Sequence, residues 1–250
     1  MRTKVELFDL MLSLTTKMGY PIEKPFFQND LWKKAKTVID MGCGNGDYIS
    51  MLAEDYPDKN FIGVEQSSQV SKLAINKHYL RNLSIINNSY ENLPKDFTFD
   101  FIIIRRVMKH IKDRQDLYSW MVNHASPNAG ILIIDTDMDN FTYDESLSNY
   151  MEFYKTVGDK NFAGDYKTIK NLMEHELAEA GLTHVNTKTV LTNTSVPYVK
   201  ESVYIYLRLA VEITKGYPIP ADISEELFSW FINPNGYAQF DMFGALFEKK

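Results

Sequence analysis

Apolar residues along the chain alternate between two spacings. Runs at residues 37–40, 60–65, 83–86, 99–104 and 131–135 are short and nearly continuous, as in strands of a parallel sheet covered on both faces. Between them the apolar positions recur every three or four residues, predicting helices that begin near residue 47 and cover 68–79 and 113–125. Strand and helix alternate at intervals of about 20 to 30 residues, which argues a doubly wound α/β sheet.

The flanks follow less regular patterns. Leu7, Leu10, Met11 and Leu14 predict a helix over 5–18 that Gly19-Tyr20-Pro21 should stop, with a second short helix over 29–34. Both precede the first strand, so they either pack on the sheet or cap a ligand. Residues 168–181 predict a helix closed by Gly181, 182–191 a sixth strand, and 242–247 a last strand. Residues 141–164 and 193–240 interrupt this order; the second stretch carries helical patterns at 201–213 and 224–231. The expectation is a single domain: an N-terminal helical cap (1–36), a core (37–135), and two insertions over the active site.

Composition narrows the possibilities. With 250 residues and 44% apolar content, the chain can bury one full α/β core. No apolar run reaches the ~18 residues of a membrane span and no secretory pattern opens the chain, so no membrane association and a cytoplasmic location are expected. The single cysteine, Cys43, excludes an intrachain disulfide and a cysteine-cluster metal site. A net charge of −6 without any block of Lys or Arg speaks against a nucleic-acid partner. Nothing in the pattern sets an oligomeric state.

The candidate chemistry begins where the first strand ends. Asp40-Met-Gly42-Cys43-Gly44-Asn-Gly46-Asp47 leads straight into a helical pattern, and glycines between a strand and a helix let backbone approach a ligand closely. A dinucleotide fingerprint would need a small residue where Asp47 stands; a carboxylate there would repel a pyrophosphate and suits a ligand bringing positive charge. The second strand ends in Glu65, a carboxylate able to accept both hydroxyls of a ribose.

The spacing Asp40-x-Gly42-x-Gly44-x-Gly46 resembles the first motif of the class I S-adenosylmethionine-dependent methyltransferases. The likeness covers residues 37–134 well and the remainder by order of elements. It implies a Rossmann-like sheet of seven strands, mostly parallel with a reversed last strand. It further implies the cofactor S-adenosyl-L-methionine and N- or O-methylation of a small-molecule acceptor. On it, Asp40, Gly42, Cys43, Gly44 and Gly46 form the cofactor turn, Glu65 holds the ribose with Gln66 beside it, and Ser89 with Tyr90 borders the adenine. The family often has Gly-Asp before Leu-Pro at that last place; here Asn88-Ser89 precedes Leu93-Pro94, so a hydroxyl replaces a charge. A methyltransferase of RNA or protein, a nicotinamide dehydrogenase and a non-catalytic cofactor-binding protein remain the alternatives.

At the carboxyl end of the fourth strand stand Arg105 and His110, near the chemistry by topology. Arg105 is expected to fix the cofactor's carboxylate or the substrate, and His110 to accept a proton or orient the acceptor. Arg106 and Lys109 share the stretch, with a solvated surface as the ordinary alternative. Asp135-Thr-Asp137-Met-Asp139-Asn140 invites a metal, but lacks the Gly and Glu of a calcium loop, so a polar strand exit and no metal are expected. Aromatic residues gather after residue 140, where they serve as core or as walls for an aromatic or amine-bearing acceptor.

Overall fold

The computed structural model describes residues 2–111, 113–162 and 169–250, apart from the side chains of 138–140 and 169. Seven strands form one sheet: β1 (Thr37–Met41), β2 (Asn60–Glu65), β3 (Leu83–Asn87), β4 (Phe99–Arg105), β5 (Ala125–Tyr143), β6 (Leu182–Asn193) and β7 (Ala238–Lys249). Their order is β3-β2-β1-β4-β5-β7-β6, with β1 to β5 parallel and β7 antiparallel to both of its neighbours. The expected reversed last strand is present. The order switches direction between β1 and β4, and the crevice above their carboxyl ends is where open α/β sheets take ligands.

Alternation along the central strands feeds two cores. Ile102 and Ile104 face one side with Leu117, Met121 and Phe243, whereas Phe101 and Ile103 face the other with Trp32, Ile49 and Leu52. The helices covering these faces are α2 (Asp30–Lys34) and α3 (Asp47–Asp55) on one side, and α5 (Gln115–His124) and α7 (Ile169–Glu179) on the other. Helix α4 (Ser68–Lys77) joins β2 to β3. A third apolar cluster joins α1 (Lys4–Glu23) to α6 (Ser148–Asn161), α8 (Pro197–Lys215) and α9 (Ala221–Ile232) through Met18, Tyr150, Val203, Leu227 and Trp230. Among the described residues no helix is long and apolar enough to cross a membrane.

Three local readings change. Helix α1 does not stop at Gly19-Tyr20-Pro21 but runs through Pro21 to Glu23. A proline inside a helix costs about 3 kcal/mol, and tertiary anchors on the last turn oppose that cost. The Tyr20 hydroxyl donates to Asp55 Oδ2 at 2.7 Å and to the Met51 carbonyl at 3.1 Å, while Glu23 is buried in an ion pair. The fifth strand, expected over 131–135, already begins at Ala125, with an irregularity where pairing with β4 skips from Ala125 to Gly130 and Asn128 takes a φ of +62°. Helix α6 fills a stretch in which only aromatic content was legible.

Candidate functional site

The glycine turn is built by positive φ angles, +77° at Gly42, +58° at Gly44 and +79° at Gly46, which side chains disfavour. The turn is pinned to β2: the Gly42 and Cys43 N–H groups donate to the Val64 carbonyl at 2.8 and 3.1 Å. A side chain at Gly42 would begin 2.6 Å from Val107 Cγ2, and one at Gly44 would begin 3.0 Å from Leu12 Cδ1. Protein side chains thus bound the turn on both sides, one of them contributed by α1. Cys43 is buried, and burial followed by the charges of Asp40 and Glu65 pushes its thiol well up, so it stays protonated.

Glu65 is the half-exposed carboxylate of this crevice. Its Oε2 accepts from Gly44 N–H at 3.1 Å and its Oε1 from Ser67 N–H at 2.7 Å. Two of a carboxylate's roughly four acceptor positions are then occupied, leaving room for two vicinal hydroxyls, and the donor set fits an adenosine ribose. The loop after β3 is tied to the same place. The Asn88 N–H donates to the Glu65 carbonyl at 3.1 Å, and Asn87 Nδ2 donates to the carbonyls of Glu65 at 2.9 Å and Gln66 at 3.3 Å. Glu65, Gln66 and Ser89 therefore converge. Tyr90 turns toward α5, its ring edge-on to Trp120 at 5.9 Å, and burial pushes its hydroxyl up to about 12.

Two carboxylates of the motif take other partners than the sequence suggested. Asp47 does not wait for a cationic ligand, because Lys77 Nζ stands 2.8 Å and His78 Nε2 3.0 Å from its Oδ1, and Ser13 of α1 donates to its Oδ2. Burial would raise its pKa, but those bonds outweigh burial and hold it well below the usual carboxylate range. Asp40 is fully buried at the end of β1. Burial pushes its carboxyl up to about 7; Arg105 opposes this, and Glu65 and Glu23 add to it.

Arg105 is the main correction. Its guanidinium lies over the Tyr48 ring at 4.3 Å and grips Glu23 at 2.7 and 3.0 Å, so its charge is spent inside the protein. A third bond, to the Thr15 carbonyl at 3.3 Å, fastens the end of β4 to α1. His110 is exposed, edge-on to Phe162 at 5.0 Å, and the surrounding protein, then the Lys109 charge, lower its pKa.

A cavity of about 90 Å³ lies above the ends of β4 and β5, and what sequence reasoning missed is that Arg106 and Lys109 line it. It is walled by Phe141, Tyr150, Tyr154, Tyr206 and Phe240, and it reaches Arg106 and Lys109. Both cations were equally readable as solvated surface, and both instead line this enclosed space. Arg106 has a φ of +58°, a conformation costing of order 1–3 kcal/mol that tends to mark functional sites. The sequence signals were the aromatic residues gathered after residue 140 and the clustering of positive charge at a strand's carboxyl end. In the acidic stretch, Asp135 faces Lys109 at 3.4 Å and Asp137 faces Lys170 at 2.6 Å; the side chains of Asp139 and Asn140 lie outside the described residues.

A family model described as a methyltransferase domain matches residues 32–190, which include the turn, Glu65 and all of β4. The chain belongs to this family, the class I S-adenosylmethionine-dependent methyltransferases. Among curated relatives, a demethylmenaquinone methyltransferase of Listeria welshimeri is 26% identical over 148 residues, 57% of this chain and 63% of the relative. A ubiquinone biosynthesis O-methyltransferase of Rickettsia conorii is 28% identical over 128 residues, 51% of this chain and 43% of the relative. The chain thus spans less than two thirds of the length of these relatives.

Solved structures share the fold. A cyclopropane synthase from Mycobacterium tuberculosis superposes with a TM-score of 0.59 at 14% identity, over 92% of this chain and 83% of that one. A Haemonchus contortus phosphoethanolamine N-methyltransferase 2, solved with phosphomonomethylethanolamine and S-adenosylhomocysteine, gives 0.53 at 18% identity, over 92% and 52%.

Proposed function

We propose that the chain transfers a methyl group from S-adenosylmethionine to a nitrogen or oxygen of a small molecule. The observation that carries this is the Glu65 carboxylate, fixed by the N–H groups of Gly44 and Ser67 beside a turn of three left-handed glycines. Glu65 would take the ribose hydroxyls, Gln66 and Ser89 would border the adenosine, and Asp40 would place a buried carboxyl under the turn. When bound, the cofactor supplies a methyl group on an already activated sulfur. The protein's part is then chiefly alignment, which can be worth ~7 to 11 kcal/mol of barrier without a general base. Helices α6 and α8, which lie in the insertions, wall the cavity that reaches Arg106 and would exclude water from it. The named acceptors of the relatives, quinone precursors and a phosphorylated amine, support a small-molecule acceptor.

Calorimetric titration with S-adenosylhomocysteine tests the reading. Binding is expected in the wild type and should weaken roughly 10- to 150-fold in Glu65→Gln, the worth of hydrogen bonds to a charged group. An unchanged affinity in a folded variant rejects the ribose assignment, and no binding by the wild type rejects the function.

A further inference from the structure

The cavity above β4 and β5 has a polar inventory that is one-sided. Among the described residues, Arg106 presents an Nε–H buried without a hydrogen-bond partner, while its Nη2 donates to the Met242 sulfur at 3.6 Å. The Tyr150 hydroxyl is likewise buried without a partner. Lys109 has one carboxylate near it, Asp135 at 3.4 Å, and Oδ1 of that carboxylate already accepts from Thr136 N–H at 2.8 Å. Buried donors are ordinarily satisfied, and an arginine cannot shed its proton to escape the cost. The described side chains that line this space are donor-rich and include no carboxylate; Asp135, beside Lys109, has an Oδ2 that is also without a partner among the described residues. Its walls are aromatic.

Resting on the methyltransferase reading, we propose that this cavity is the acceptor site and that it selects a flat, apolar-bodied acceptor carrying an anionic oxygen, a carboxylate or an ionised ring hydroxyl. The oxygen would take the unpaired N–H of Arg106 and the Tyr150 hydroxyl, with the Lys109 ammonium completing its neutralisation. Charge-assisted bonds of this kind are the strong ones, and they strengthen in an enclosed site. The aromatic walls alone would also suit a cationic amine. Two fixed cations at the same cavity oppose that occupant and favour an anion. Size adds a limit: about 90 Å³ is less than the ~150 Å³ of a cavity that takes benzene, so the space admits at most one small ring and a long apolar tail has no room inside it.

The test uses one-ring probes in calorimetry, with S-adenosylhomocysteine present and absent: benzoate, 4-nitrophenol, neutral benzamide and cationic benzylamine. Benzoate and 4-nitrophenolate are expected to bind about tenfold or more tighter than benzamide, and benzylamine weakest. The yellow phenolate absorbance should persist to lower pH in the complex, and the ratio of the two anions tells a carboxylate site from a hydroxyl site. Arg106→Gln should lose about tenfold or more of the anion affinity. Tyr150→Phe is the second variant: removing a hydroxyl that has no partner should leave melting unchanged or raised while anion affinity falls several-fold. Equal binding of benzamide or benzylamine, or anion affinity untouched in both variants, overturns the proposal. Cofactor binding without any probe binding overturns it while leaving the methyltransferase reading in place; probe binding without cofactor binding leaves an anion site but removes the methyltransferase reading and with it the acceptor role.

Discussion

Arg105 and Glu23 meet side-on in the interior, Nε 2.7 Å from Oε2 and Nη2 3.0 Å from Oε1, with the Glu23 side chain wholly withdrawn from solvent. The pair joins the end of β4 to the last turn of α1, across a gap of 82 residues in sequence. It explains why α1 outlasts Pro21. Burial raises the Glu23 pKa, but the Arg105 charge and hydrogen bonds outweigh it and hold the carboxyl below its usual range.

Removing one partner leaves the other charge buried alone, so Glu23→Ala should lose ~3 to 5 kcal/mol of stability. The paired replacement Glu23→Leu with Arg105→Met should lose much less. Urea unfolding of the three proteins decides it; a double variant that loses as much as the single variant or more would show that an uncompensated buried charge is not the source of the loss. Because the folded pKa of Glu23 is depressed, this stabilisation is full above the unfolded carboxylate value of ~4.3 and vanishes as pH falls through the folded one.

That pair was illegible in the sequence, whereas the sheet was not. Continuous apolar runs such as 99–104 report burial on both faces locally, and the glycine spacing around Gly44 fixes a local backbone shape. Glu65 was readable for the same reason, since it ends a strand beside that turn. Arg105, Asp47 and Lys109 look alike as charges at element ends, and their partners Glu23, Lys77 and Asp135 lie 82, 30 and 26 residues away. Only the folded arrangement of α1, α4 and β5 tells a paired charge from a free one. The aromatic residues were legible as core or as acceptor walls, but that Tyr150 on α6 and Tyr206 on α8 line one cavity shows only in three dimensions.

Asp40 predicts an unusual pH dependence. Its unfolded carboxyl titrates at ~3.9, whereas the folded one is pushed up to about 7, by burial foremost. Between those values the folded protein holds a proton that the unfolded chain has released, so this group makes stability fall as pH rises through the window and level off above it. Asp40→Asn should therefore gain on the wild type when measured at pH 8 rather than pH 5. Parallel profiles for the two proteins would show that Asp40 is ionised throughout.

Asp47 ties three elements together. Its carboxylate binds Lys77 and His78 at the end of α4 and Ser13 of α1, while Asn45 bridges Asp9, Ser13 and Asp47 at 2.6, 3.0 and 3.1 Å. Asp47→Ala should cost ~1.5 to 3 kcal/mol, the range for hydrogen bonds to charged groups. The loss should concentrate in α1, whose Leu12 covers Gly44, and amide exchange should accelerate there while β1 stays protected. Uniform acceleration across the sheet would show instead that Asp47 supports the core as a whole.

His110 is the residue whose expected role the geometry changes most directly into a measurement. It is not among the residues lining the cavity; its ring lies edge-on to Phe162 at 5.0 Å, and the Lys109 ammonium stands 5.4 Å from the same ring. His110 and Lys109 therefore hold Phe162, just beyond α6, against the end of β4. With its pKa lowered by the surrounding protein and by Lys109, the imidazole is neutral at pH 7 and has no charge to contribute to anion binding. On the proposed activity, His110→Ala should raise the acceptor KM several-fold through a loosened α6 end, change kcat less than about tenfold, and leave the pH profile in place. A general base would behave otherwise: kcat would fall ~10² or more and the acidic limb of the profile would disappear with the imidazole. Steady-state kinetics of the variant between pH 5 and 9 separates the two, and the second result would return His110 to the chemistry.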